Sequence, residues 1–244
     1  VACHAATGNR TESDGALVVD LGAPLAGTHG GPAPHATSDR PFLRSSSLCA
    51  TCHEVAGPGL LDERTGTEHA ESGVSESCAD CHFPKGSHAT IGFEPGPEVD
   101  PEARALHTRS LLAEALALSV ERDGDTWRIE VENVGAGHDV PTGAAVFREL
   151  RLDLVVDGVH TPLDTLGPRA VDAGGRPVAL LTEAAAVDGA GLAPGEVHEL
   201  QIPRPPDGAV VELVFRAWRA DTTDALALER APEVSIASAA PPDR

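Results

Sequence analysis

The sequence predicts an α+β, multidomain chain. An irregular segment of loops and short helices over residues 1–100 is followed by a linker helix over 101–115 and an antiparallel, immunoglobulin-like β-sandwich over 116–240. Three observations lead there. Residues 1–100 hold 17 Leu, Ile, Val and Phe in all, no Trp, and 14 acidic against 5 basic side chains, a combination that reads as disordered without a cofactor. Asp100-Pro101-Glu102 then reads as a helix N-cap, a first-turn proline and an acidic first turn. Beyond it the apolar residues alternate with polar ones, the mark of half-buried strands.

Within the first segment, Cys49-Ala50-Thr51-Cys52-His53 and Cys78-Ala79-Asp80-Cys81-His82 each spell Cys-x-x-Cys-His, the attachment sequence of c-type haem. Each thiol can add across a haem vinyl group, and the histidine after the second cysteine is placed to ligate the iron from the proximal side. The chain opens on Val1-Ala2-Cys3-His4, which has the form of the tail of a third motif, and the odd count of 5 cysteines leaves Cys3 over. A cysteine just before Val1 would complete it, so the sequence is expected to be the remainder of something longer. Three haem c groups are expected, the first through this truncated motif, with His4, His53 and His82 as proximal ligands. A Cys-x-x-Cys pair also suits a redox dithiol, two pairs a four-thiolate zinc site, and an exported chain disulfides. None of these explains the histidine after each pair. Packed porphyrins would supply the apolar surface that residues 1–100 lack, so this part is expected to be unfolded without haem.

The absence of methionine bears on the sixth iron ligand, because a methionine ligand is impossible within this chain. Bis-histidine iron is the default, with a low-to-moderate potential. Removing the three proximal histidines from the 11 leaves His29, His35, His69, His88, His107, His138, His160 and His198.

The helix signal runs from Asp100 through about Ala115. After it come Trp127-Arg128-Ile129-Glu130-Val131-Glu132, Leu150-Arg151-Leu152-Asp153-Leu154 and Val211-Glu212-Leu213-Val214-Phe215-Arg216, all with period two. Asp123-Gly124 and Asp157-Gly158 are tight-turn dipeptides, and Pro194-Gly195 and Pro205-Pro206 punctuate later runs. About seven short strands in this length suggest the sandwich.

The formal charge of −20 excludes nonspecific nucleic-acid binding and disfavours anionic membrane surfaces. It suits steering of a basic redox partner, or equally an acidic coat that keeps the protein soluble. No stretch of eighteen apolar residues is present to span a membrane.

The run Asn133-Val134-Gly135-Ala136-Gly137-His138-Asp139-Val140-Pro141-Thr142-Gly143 has glycines before its histidine and a proline and glycine after it, so the imidazole can be held toward a haem edge. By chemistry alone a turn histidine is more often exposed to solvent. The run is similar to the Asn-x-x-x-Gly-His-x-x-Pro-Thr-Gly signature of a family of multihaem c-type cytochromes, in which that histidine ligates a haem from a β-domain. The resemblance extends to Leu-Cys-x-x-Cys-His-Glu over 48–54, to Cys-Ala-Asp-Cys-His-x-Pro-Lys-Gly over 78–86, and to His88 shortly after. Phe83 stands where relatives often carry methionine.

The resemblance implies His138 as a distal ligand and His88 as a second, serving a neighbouring haem because it lies too close to His82 to reach its own. His35 and His29 compete for the third role, His35 first, with His107 on the helix in reserve. His69, His160 and His198 read as surface side chains. The resemblance also implies an exported protein, periplasmic, extracellular or at the cell surface.

Three haems within about a hundred residues approach closely, which favours an electron carrier passing electrons to redox partner proteins, to other multihaem cytochromes or to further copies of itself, in a larger redox complex or a wire. A haem enzyme with one open iron site, acting on a small nitrogen, sulfur or peroxide substrate, is the alternative. A third reading makes the sandwich a binding or structural module and the haem segment accessory.

Overall fold

A computed structural model describes residues 2–26, 34–57, 59–83, 101–228 and 233–242. The chain divides into two units, Val1–Ile91 and Gly92–Arg244. The first is built from short pieces: α1 (Ala2–Ala5), β1 (Ala6–Asn9), β2 (Leu17–Val19), β3 (Leu25–Ala26), β4 (Thr37–Ser38), α2 (Ser46–Ala50), β5 (Val55–Ala56), β6 (Asp62–Glu63), α3 (Thr65–Ser72) and α4 (Cys78–His82). The pairs β1–β2 and β5–β6 are antiparallel, and β3–β4 is parallel. Among the described residues of this unit, the buried apolar side chains are Ala5, Ala6, Ala26 and Ala50, none larger than a methyl group.

Hydrogen bonds to the main chain do the joining instead. Arg40 donates to the carbonyls of Ala6 at 2.7 Å and Pro24 at 2.9 Å, tying β1 to the turn before β3. Gly15 N–H reaches Thr51 O at 2.6 Å and Asp14 N–H reaches Glu54 O at 2.9 Å, so the β1–β2 loop is laced to the chain around Cys52. Thr51, itself buried, donates its hydroxyl to Ser47 O at 2.8 Å.

The second unit begins with α5 (Pro101–Ala115), followed by β7 (Leu116–Asp123), β8 (Thr126–Asn133), β9 (Glu149–Val156), β10 (Val159–Leu166), β11 (Arg169–Val171), β12 (Ala186–Asp188), β13 (Val197–Pro203), β14 (Val210–Arg216), α6 (Ala220–Ala225) and β15 (Val234–Ala239). One antiparallel sheet has the order β13-β8-β7 and a second β10-β9-β14-β15, with β11 and β12 paired apart. The Asp157-Gly158 dipeptide joins β9 to β10 with both residues at positive φ, 51° and 77°, the mirror-image turn that matches strand twist. At the β7–β8 turn Asp123 pairs with Thr126, so the two-residue loop is Gly124-Asp125, one residue later than the dipeptide predicted.

Alternation decides which side chains go inside. Trp127, Ile129 and Val131 of β8 are buried with Leu150 and Leu152 of β9, Val211, Leu213 and Phe215 of β14, and Val234 and Ile236 of β15 in a single core. Ala105, Leu112 and Ala115 bring α5 against this core, and Arg109 Nε donates to Ser235 O at 2.6 Å. Full burial of each leucine or isoleucine contributes about 1.5–3 kcal/mol. No helix among the described residues is long and apolar enough to cross a membrane.

On the opposite face of the second sheet the polar residues pair with one another. Asp153 is fully buried yet receives both prongs of Arg151 at 2.7 Å, and Arg151 also reaches Glu233 at 3.0 Å. Arg216 and Arg219 meet the buried Glu149 at 2.9 and 3.4 Å. A buried carboxylate without its partner is costly, so each of these arginines is required by the acid it faces.

Leu213→Ala should destabilise the second unit by about 2–5 kcal/mol, because it leaves a cavity among fully buried neighbours. Both tryptophans of the chain, Trp127 and Trp218, lie in this unit. Unfolding followed by tryptophan emission is therefore the measurement, and an unchanged midpoint would contradict the shared core.

Candidate functional site

The first complete motif sits where α2 ends. Cys52 and His53 N–H both turn back to Cys49 O, at 3.0 and 2.8 Å, so the two thiols and the imidazole are carried on one tight turn. In the second motif all five residues, Cys78 to His82, lie in α4. Asp80 fixes its start by accepting from the Ser77 N–H at 2.8 Å and hydroxyl at 2.7 Å, and these bonds hold the Asp80 carboxyl below its ordinary range. The environments match: Cys49 and Cys78 are half-buried, Cys52 and Cys81 exposed, and none of the four is in a disulfide.

The two motifs are neighbours. Cys78 N–H donates to Ser46 Oγ at 3.3 Å. A hydrogen bond from the Cys49 thiol pulls the Cys78 thiol down to about 5, against burial and with help from Ser46 and His69. Among the described residues no three His, Cys, Asp or Glu side chains converge on a single ion.

The imidazoles divide by the nitrogen they commit. His53 engages Glu63 Oε1 through Nδ1 at 2.8 Å, His35 engages Ala36 O at 3.1 Å, His138 engages Asp139 O at 2.8 Å, and His4 engages Ala26 O, each through Nδ1. A neutral ring that donates from Nδ1 carries its ligating lone pair on Nε2, the tautomer suited to iron. His69 and His198 use Nε2 instead, toward Glu76 O and Asp164 Oδ2, both at 2.9 Å. His160 Nδ1 lies 3.3 Å from Glu212 and 3.5 Å from Asp153 on the outer face of the sheet. His82 is half-buried at the end of α4, and His107 is exposed on α5. His29 and His88 lie outside the described residues, as does the side chain of Cys3.

The loop that carries His138 is organised by Asn133. Alternation along β8 places Asn133 on the inward face after Trp127, Ile129 and Val131, so an amide occupies a core position and is only 1% exposed. Its Nδ2 donates to His138 O at 3.0 Å and Leu192 O at 2.9 Å, and its Oδ1 accepts from Ala136 N–H at 3.0 Å. Val140 and Leu192 exchange main-chain bonds at 3.1 and 2.9 Å, and Val134 and Gly135 N–H both reach Ala115 O at the end of α5. Two glycines allow this closeness: a Cβ on Gly135 would stand 2.5 Å from Glu114 O, and one on Gly191 2.7 Å from Pro141 O. The Val140–Pro141 peptide is cis.

Sequence reasoning quoted Asn133 only as part of the His138 run and passed over Gly191, Leu192 and Glu63. Asn133 was legible as the amide that interrupts an apolar face. Gly191 and Leu192 come from a segment some fifty residues further along the chain, and Glu63 returns to His53 only through the β5–β6 pair, so no local pattern announces them.

The residues present fit haem c: paired thiols on a helical turn, an imidazole directly after them that commits Nδ1 at His53, and a unit whose buried apolar side chains, among the described residues, are all alanines. Replacing Asn133 with alanine removes all three of these hydrogen bonds at a buried position and should lower the stability of the second unit by about 1–3 kcal/mol. Val134→Ala next to it, at a side chain 52% exposed, should stay within about 0.5 kcal/mol. Equal midpoints for the two variants in denaturant unfolding would remove Asn133 from this role.

Comparison with known proteins agrees with the geometry. Residues 35–93, which span both complete motifs, match the NapC/NirT cytochrome c family, N-terminal region. The fold is similar to that of a penta-haem cytochrome c552 from Thermochromatium tepidum, with 21% identity, a TM-score of 0.66, and coverage of 98% of this chain and 74% of that one. No curated protein matches the chain. The family match thus covers the segment with both complete motifs, and the structural likeness shows a shared fold.

Proposed function

We propose that this chain carries electrons through closely packed haem c groups, each iron held between two histidines. The observation that carries this reading is the pair of Cys-x-x-Cys-His turns on neighbouring helices, in a unit whose described buried apolar side chains are all alanines. Bound haem supplies a reversible one-electron iron couple, and its macrocycle the apolar bulk that this unit lacks. Cys49, Cys52, Cys78 and Cys81 anchor two groups, Cys3 takes part in a third, and His4, His53 and His82 are the proximal ligands. His138 is the leading sixth ligand, with His88, His35, His29 and His107 as the remaining donors.

Residues 1–100 form the haem domain in this reading, 101–115 the linker helix and 116–240 the β-domain. Strand order supports an immunoglobulin-like sandwich for the last: the first, second and fifth long strands make one sheet, and the third, fourth, sixth and seventh the other, around one core. Its part is to present the His138 loop as a rigid ligand donor. Irons with two histidines each have no position open to substrate, which favours a carrier over a catalyst. The charge of −20 suits a basic redox partner, and covalent haem an exported location, periplasmic, extracellular or at the cell surface. Partnership with other multihaem cytochromes, in a larger complex or a wire, follows from the same haem packing.

Denaturing intact mass with a haemochrome spectrum counts the attached groups, at about 616 daltons each. Three are expected, and a colourless protein, or one that gives up its pigment to acidified organic solvent, would end this reading. In the loaded protein His138→Ala should convert one iron from low-spin to high-spin in the optical and EPR spectra. A fully low-spin spectrum in that variant would take His138 out of the ligand set.

A further inference from the structure

The partners that hold the imidazoles in place are not alike. His4, His35 and His138 each give their Nδ1 proton to a neutral backbone carbonyl. His53 gives its proton to a carboxylate, Glu63 Oε1, at 2.8 Å. The contact is built rather than incidental. The β5–β6 pair, with Val55 opposite Glu63 and Ala56 opposite Asp62, folds the chain back on the motif it has just left. Gly57 N–H closes that return on Leu61 O at 2.9 Å, and Gly66 N–H reaches His53 O at 3.0 Å. The adjoining Glu54 carboxylate accepts from Thr67 N–H at 2.9 Å and from the Thr67 hydroxyl at 2.7 Å, which fixes the start of α3 beside the histidine. The Glu63 side chain is 16% exposed, whereas that of His53 is 63% exposed, so the carboxylate is sheltered on its own side of the contact.

We propose that Glu63 is a potential-tuning residue: its carboxylate, hydrogen-bonded to His53 Nδ1, lowers the reduction potential of the iron that His53 ligates. The proposal rests on the reading of Cys49 to His53 as a haem c site. A charge-assisted bond to a carboxylate is roughly twice as strong as one to a carbonyl. It draws the ring proton away and makes Nε2 a stronger electron donor, which favours the ferric over the ferrous state. A bond to a neutral carbonyl gives a weaker push of this kind. The Cys49–His53 site is thereby more reducing than its motif alone would make it.

The experiment is a spectroelectrochemical titration of the full haem-loaded chain with Glu63→Gln, Glu63→Asp and Asp62→Asn. Glu63→Gln keeps an acceptor and removes the charge. Asp62→Asn removes the same charge from the adjacent, exposed position of the hairpin without touching the ring. One component of the Glu63→Gln titration should move to higher potential by about tenfold in its one-electron equilibrium, about 59 mV, and the others should stay. Glu63→Asp, which shortens the reach, should move the same component in the same direction, and it decides the matter where Glu63→Gln loses haem. Unmoved titrations in both Glu63 variants, or an equal shift in Asp62→Asn, would overturn the proposal. Peptide mass mapping separates the two levels: a Cys49–Cys52 peptide without haem removes the site itself, whereas a loaded peptide with unmoved potentials removes only the role of Glu63.

Discussion

Apolar surface is distributed unevenly along this chain, and the rest of the structure follows from that constraint. The second unit gathers tryptophan, isoleucine, leucine, valine and phenylalanine from two sheets and a helix into one core. In the first unit the described residues bury four alanine side chains. Methyl groups of that size contribute little against the conformational entropy of ordering ninety residues. Arg40, Asn9 and Thr51 therefore link elements through main-chain and hydroxyl groups, work that a hydrophobic core does elsewhere. In the proposed function a macrocycle bound at each cysteine pair supplies the apolar surface that completes this unit.

The second unit answers a different need. In the proposed function His138 is a ligand, and an imidazole with that part has to be held in orientation in advance, or its ordering opposes binding. The Asn133 amide does this from inside the core, where low dielectric strengthens its bonds to Ala136, His138 and Leu192 and makes their loss expensive. The segment holding Gly191 and the end of α5 close against the same loop, so three stretches distant in sequence brace one histidine.

Electrostatics is handled by pairing rather than by dilution. The chain is strongly acidic overall, but its buried acids, Glu149 and Asp153, each face arginine at hydrogen-bonding distance. The same principle at smaller scale separates the histidines. Those that commit Nδ1 to a carbonyl or carboxylate present the tautomer a metal needs, whereas His69 and His198 spend Nε2 on an oxygen.

The chemistry was legible in the residues themselves. Cys-x-x-Cys-His is a local pattern, complete within five positions, so no fold is needed to recognise it. The helix over 101–115 and the strands beyond it declared themselves through a proline at the first turn and a period of two, since both depend on neighbours in sequence. The partners of those elements did not. Which strands share a sheet, that Asp153 is buried on a face expected to be solvated, that Glu63 rather than a carbonyl holds His53, and that Leu192 closes the His138 loop all depend on contacts between residues far apart along the chain. Sequence periodicity states which face of a strand is apolar, but only packing in three dimensions decides what that face, and each imidazole, will meet.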